Sequence, residues 1–127
     1  MSTARAGGFP RLWLRLDLAP GVSIGPGKAE LLRGIDETGS ISAAGRRIGM
    51  SYKRAWQLVD ALNRHFTAPL VNASRGGAHG GGAMLTPLGR DVLAAYQAVQ
   101  AAAGECAAAT LDQLAERVAA DGRPAQQ

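Results

Sequence analysis

Between Ser40 and Phe66 the chain reads SISAAGRRIGMSYKRAWQLVDALNRHF, and this stretch leaves few folding choices open. Ser40 is a good helix N-cap, and Ile41, Ala44 and Ile48 follow at helical spacing. Gly49 stands where a left-handed residue ends that helix, and Ser51 can cap the next. In the second helix Tyr52, Ala55, Trp56, Val59, Leu62 and Phe66 recur at steps of three and four, predicting one buried face. Lys53, Arg54, Gln57 and Arg64 fall opposite it. Ala44 and the turn glycine allow the two helices to cross closely. The pattern predicts a helix-turn-helix.

In the DNA-binding form of this motif the second helix enters the major groove, and its N-terminal residues meet base edges. Ser51, Lys53, Arg54 and Gln57 hold those positions. Arg or Lys pairs with guanine O6 and N7, and Gln with adenine N6 and N7. Ser40, Ser42, Arg46, Arg47 and Arg64 are placed to meet the sugar–phosphate backbone. Two other readings stand beside this one: a helical hairpin with a solvated charged face, and a winged module that binds a partner protein without DNA. A protein-binding version is expected to expose apolar residues on the outer face, which here carries Lys, Arg, Gln and Arg.

Charge distribution points the same way. Residues 28–90 hold nine Lys/Arg against four Asp/Glu, whereas residues 91–127 hold two against five. A basic patch on a chain of net charge +4 suggests a polyanionic partner, here double-stranded DNA. The single cysteine, Cys106, cannot form an intrachain disulfide, and no secretory signal is evident, so a cytoplasmic location is expected. The least charged run, Val92–Leu111, is too polar for a bilayer.

Ahead of the motif, RLWLRLDL (11–18) alternates Leu12, Leu14, Leu16 and Leu18 with Arg11, Trp13, Arg15 and Asp17, predicting a half-buried strand that pairs further along the chain. APGVSIGPG (19–27) reads as a turn-rich connection, and Lys28–Thr38 as a helix stopped by Gly39. After it, Leu70–Ser74 and Ala83–Thr86 predict two short strands around RGGAHGGG (75–82), a wing that would carry Arg75 and His79 to the DNA backbone. A phosphate-cradling loop would need Gly-Lys-Ser/Thr at its end, which is missing. Thr86-Pro87 starts a long helix with Val92, Tyr96, Val99, Leu111, Leu114 and Val118 along one side. Nine alanines between Ala94 and Ala109 permit close approach of a second such helix, so these six residues are expected to form a homodimer interface.

GSISAAGRRIGMSYKRAW (39–56), the glycine wing ending GGGAMLTPLG (80–89) and the leucine-alternating strand together resemble the N-terminal DNA-binding domain of the ModE family of molybdate-responsive bacterial transcription regulators. The helix-turn-helix is also similar to that of LysR-type regulators. The resemblance covers roughly residues 11–120 and implies a winged helix-turn-helix, a dimer formed through long helices, and operator binding. Full-length family members add C-terminal oxyanion-binding domains, for which this chain has no length, so no molybdate site is expected in it.

Catalysis finds little support. His65 lies on a helix flank, His79 on the wing and Cys106 on the alanine-rich helix, and no His, Cys or carboxylate spacing matches a zinc set. No cofactor is expected. The expected fold is mainly α with a small β-sheet: a winged helix-turn-helix (9–86) after a disordered start (1–8), a long C-terminal dimerisation helix (87–120) and a frayed tail (121–127).

Overall fold

The computed structural model describes residues 8–74 and 82–119. The element order is β1 (Leu16–Ala19), β2 (Val22–Ile24), α1 (Pro26–Thr38), α2 (Ile41–Arg47), α3 (Tyr52–His65), β3 (Val71–Ser74), β4 (Gly82–Leu85) and α4 (Pro87–Ala115). The chain divides into two compact units, Leu14–Ala98 and a smaller one joining the residues up to Trp13 to those from Val99 on. The winged helix-turn-helix lies within the first.

Its core is built where α1, α2 and α3 cross. Leu31, Leu32 and Ile35 of α1 meet Ile41 and Ala44 of α2 and Ala55, Val59 and Leu62 of α3, all buried. The crossings are tight because small residues stand at them. A Cβ on Gly34 would lie 2.8 Å from that of Ala44, and one on Gly45 would lie 3.2 Å from that of Ala55. Side chains of ordinary size would hold the helices apart.

Local chemistry sets the helix ends. Pro26 occupies the first turn of α1, where its missing N–H costs nothing. Gly39 ends α1 at φ 74°, a left-handed conformation that glycine adopts without strain. Its carbonyl accepts from the Ala83 N–H at 2.9 Å, so the residue that stops α1 also anchors β4. The Thr86 hydroxyl caps α4 by accepting from Gly89 N–H and donates to the Pro69 carbonyl. A side chain on Gly89 would collide with the Leu70 carbonyl oxygen.

Both sheets are antiparallel pairs. In the first, Leu16 faces Ile24 and Asp17 faces Ser23, with an irregularity before Ala19. In the second, Val71 faces Leu85 and Ser74 faces Gly82. Asn63 of α3 ties the second pair to the helices: its side-chain oxygen accepts from the Leu70 and Val71 amides at 2.8 and 3.0 Å, and its amide donates to the Val71 carbonyl.

Three expectations need correction. The strand predicted over 11–18 is regular only from Leu16, because among the described residues no strand pairs with 11–15. Its partner, β2, lies inside the stretch read as a connection. The leucine alternation holds only as far as Leu16: Leu12, Leu14 and Leu16 are half-buried and Arg11, Trp13 and Arg15 exposed, but Leu18 is exposed as well. Tyr96, expected at a dimer interface, is 4% exposed in the single chain and its hydroxyl donates to the Leu14 carbonyl. Val92, from the same expectation, packs half-buried against that core.

In the smaller unit, Gln100 donates to the Leu12 carbonyl at 3.2 Å, and the Arg11 guanidinium lies over the rings of Phe9 and Trp13. Val99 and Leu114 are exposed and Leu111 is half-buried. Val118, also exposed, lies beyond the end of α4, in turns closed by Arg117 N–H to Leu114 and Val118 N–H to Ala115. The expected disordered ends (1–8 and 121–127) and the wing residues Arg75 and His79 fall outside the described residues, apart from Gly8. Among the described residues, no helix is long and apolar enough to cross a membrane.

Candidate nucleic-acid interface

The helix-turn-helix pair is set by two serine caps. Ser40 Oγ accepts from the Ala43 amide and Ser51 Oγ from the Arg54 amide, each at 3.1 Å. Between the helices Gly49 takes φ 70°, and Met50 N–H returns to the Gly45 carbonyl at 2.9 Å. This closed turn fixes where α3 starts and which of its side chains point outward.

On α3 the buried side is Ala55, Leu58, Val59 and Leu62. Leu58 thus joins the apolar stripe predicted from sequence, which did not include it. Ser51, Lys53, Arg54, Gln57 and Arg64 are all exposed. They do not share one face. At 100° per residue, Lys53, Gln57 and Arg64 fall within about 40° of one another, whereas Arg54 lies about 60° beyond Gln57. Arg54 there lines a cleft of about 360 Å³ with Arg15 and Lys28. Arg54 therefore lies on a flank of α3 and not at its outer centre.

Tyr52 is the second departure. Assigned to the apolar face by spacing, it is 63% exposed and stands edge-on to Trp56, ring centroids 6.2 Å apart. It flanks α3 on the side away from Arg54. There it shares a cleft of about 100 Å³ with Ser40, Ser42 and Ser74.

The residues expected at the DNA backbone divide as well. Arg46 and Arg47 are exposed in the last turn of α2, yet Arg47 already pairs with Glu37 at 2.7 Å. Glu37 also receives Arg33 at 3.1 Å, and Arg33 reaches Glu30 at 2.6 Å. The hydrogen bond from Arg47 holds the Glu37 carboxyl below the usual carboxylate range, with the Arg33 charge adding to it. A phosphate reaching Arg47 must compete with that carboxylate. Lys28, in the cleft with Arg54, is pushed below an ordinary lysine by burial first and by the Arg15 and Arg54 charges second. Its ammonium donates to the Ser23 carbonyl at 2.8 Å.

The sequence alone does not place Arg15, Lys28, Tyr52 or Ser74 in clefts beside α3. Three lie outside the motif, and only the tertiary fold brings them to α3. Among the described residues, no group of three or more His, Cys, Asp or Glu could hold a metal ion.

Comparison with known proteins agrees with this geometry. Residues 28–90 match the family described as bacterial regulatory helix-turn-helix protein, lysR family. Over 81 residues the chain is 51% identical to the molybdenum-pterin-binding protein MopB of Rhodobacter capsulatus, covering 64% of this chain and 30% of that protein. The domain is a ModE-like helix-turn-helix. Similarity to the molybdenum transport protein ModE of Azotobacter vinelandii is 37% identity over 105 residues, 83% of this chain and 37% of that one. To the DNA-binding transcriptional dual regulator ModE of Escherichia coli K12 it is 36% over 83 residues, 65% and 32% of the two chains. The chain thus spans about a third of the length of the curated relatives it matches. Of the side chains that line the two clefts with a charge or a hydroxyl, all but Arg15 and Ser23 lie within the matched span of this ModE-like domain.

Proposed function

We propose that this chain is a sequence-specific transcription regulator that binds a palindromic operator as a homodimer, in the cytoplasm, without enzymatic activity. The observation that carries the reading is the outer face of α3: Lys53 and Gln57 stand exposed within its first two turns, behind a serine cap, in a ModE-like helix-turn-helix. A helix so presented suits the major groove, where Lys meets guanine and Gln meets adenine. Ser51 contributes beside them, since its hydroxyl proton remains available after the cap bond. Arg46, Arg47 and Arg64 supply backbone contacts around this centre, with Arg75 and His79 proposed to add theirs from the wing. A winged module for protein partners is the lesser reading, because this face offers charge and amide groups and no apolar patch.

The test is selection of bound duplexes from a random-sequence pool, followed by titration of the recovered site against salt. Neutralising several phosphates per subunit makes affinity fall about a thousandfold or more between 50 and 200 mM salt. Gln57→Ala relaxes base preference and costs roughly 1–3 kcal/mol on the preferred site if the contact is bidentate. A salt-independent interaction, or no enriched sequence, refutes the reading.

A further inference from the structure

The two clefts beside α3 differ in chemistry. On the Tyr52 side the lining carries four hydroxyls, from Ser40, Ser42, Tyr52 and Ser74, and no carboxylate. Ser40 Oγ already accepts from the Ala43 amide at 3.1 Å, and Ser74 Oγ accepts from the Gly82 amide at 3.4 Å. Ser40 and Ser42 share one further hydrogen bond at 3.2 Å. A hydroxyl has one proton and two lone pairs, so Tyr52 and Ser74 each keep a proton to donate, and the Ser40–Ser42 pair, which spends one proton on its own hydrogen bond, keeps one more. The cleft can thus donate three hydrogen bonds to a ligand that accepts. On the Arg54 side, Arg15 and Lys28 complete a cluster of three cations. Asp17 pairs with Arg15 at 2.9 Å on the open surface. Packing three like charges around one cleft is unfavourable until an anion enters it.

Helical geometry places these clefts on opposite flanks of α3, with Lys53 and Gln57 between them. The major groove is about 12 Å wide and walled by a sugar–phosphate strand on each side, so a helix lying in it meets one wall per flank. We infer that the clefts seat the two strands, with Ser42, Tyr52 and Ser74 donating to a phosphate of one and Arg15, Lys28 and Arg54 neutralising successive phosphates of the other. The inference rests on the DNA-binding reading above. It adds Tyr52, Ser74, Arg15 and Lys28 to the contact set and assigns Arg54 to the backbone.

Salt separates the two seats. Counterion release counts phosphates neutralised by cations, so a neutral hydroxyl contact changes affinity without changing the salt slope. The experiment measures binding to a duplex recovered from the random pool and to a scrambled duplex of equal length, across a salt series. The triple variant Ser42→Ala, Tyr52→Phe, Ser74→Ala is expected to lose about tenfold or more in affinity on both duplexes, with an unaltered log–log slope. The variant Arg15→Gln, Lys28→Gln is expected to bind both more weakly, with a slope shallower by about one for each phosphate it no longer neutralises. Melting curves report folding, and should the triple variant unfold, Tyr52→Phe alone removes a single surface oxygen and gives the same comparison at smaller size. Wild-type-like affinity of the hydroxyl variant, a changed base preference, or an unchanged slope for Arg15→Gln, Lys28→Gln overturns the two-seat assignment while leaving DNA binding intact. A wild-type chain that binds neither duplex at low salt overturns the DNA-binding reading itself.

Discussion

Tyr96 shows how one side chain can settle where a whole segment goes. Its ring fills the core beside Leu93, and its hydroxyl donates to the carbonyl of Leu14. Burial pushes the phenol pKa above its ordinary value. Raised in the folded state, it contributes stability that is fully present below the unfolded pKa of about 10 and is lost as pH climbs through the folded value. The bond to Leu14 needs the phenol proton, so ionisation breaks it. Tyr96→Phe is expected to lower stability by about 1 kcal/mol at neutral pH and to remove part of the alkaline loss above pH 10. Urea titrations of both proteins at pH 7 and pH 10.5 check this, and an equal alkaline loss in the two would show that another group causes it.

At the scale of elements, punctuation was legible and faces were less so. Ser40, Gly49, Ser51 and Thr86 could be assigned from sequence because a cap or a left-handed turn depends on the nearest few residues. Tyr52 could not. It sits at the margin of the apolar stripe, where burial depends on whether another element passes overhead, and none among the described residues covers it. Arg54 stands apart from Lys53 and Gln57 by helical spacing alone, but the cleft it lines became visible only with Arg15 and Lys28, which reach it from outside the motif. β2 escaped notice because three residues between glycines and prolines carry too little periodicity to read.

The same distinction governs α4. At 29 residues it extends about 43 Å, and its first part is committed to the winged core through Leu93 and Tyr96. Val99 at 44% and Leu114 at 60% exposure lie along the remainder, with Val118 just past its end. We propose that this part pairs with a second copy, its alanines allowing close approach. Val99→Glu with Leu114→Glu is then expected to shift the protein from dimer to monomer by light scattering and to weaken operator binding about a hundredfold or more, since the linkage of two half-sites is lost. Wild-type protein that is monomeric at tens of micromolar sinks the proposal.

For the molecule as a whole, the relatives' names refer to molybdenum, while the matched region is about a third of each relative. We propose that these 127 residues hold no molybdate site, so molybdate should leave their melting temperature and operator affinity unchanged. A ligand held by the native state alone raises stability by mass action, about 2.7 kcal/mol at a hundredfold excess over Kd, so a clear thermal shift would expose a site in this chain.

The hydrogen bond from Tyr96 to Leu14 joins residues 82 positions apart, and that from Gln100 to Leu12 joins residues 88 apart. On a ribosome the stretch 12–14 is made before α1 to α4, and its hydrogen-bond partners in the first half of α4 follow only after α3 and the wing. Its half-buried leucines must wait, exposed, while the helix-turn-helix assembles from neighbours close in sequence. Closing so long a loop is slow compared with forming local helix contacts. Order of emergence thus makes the recognition motif the early-folding part of the chain, and the stretch 12–14 among the last parts to find its place.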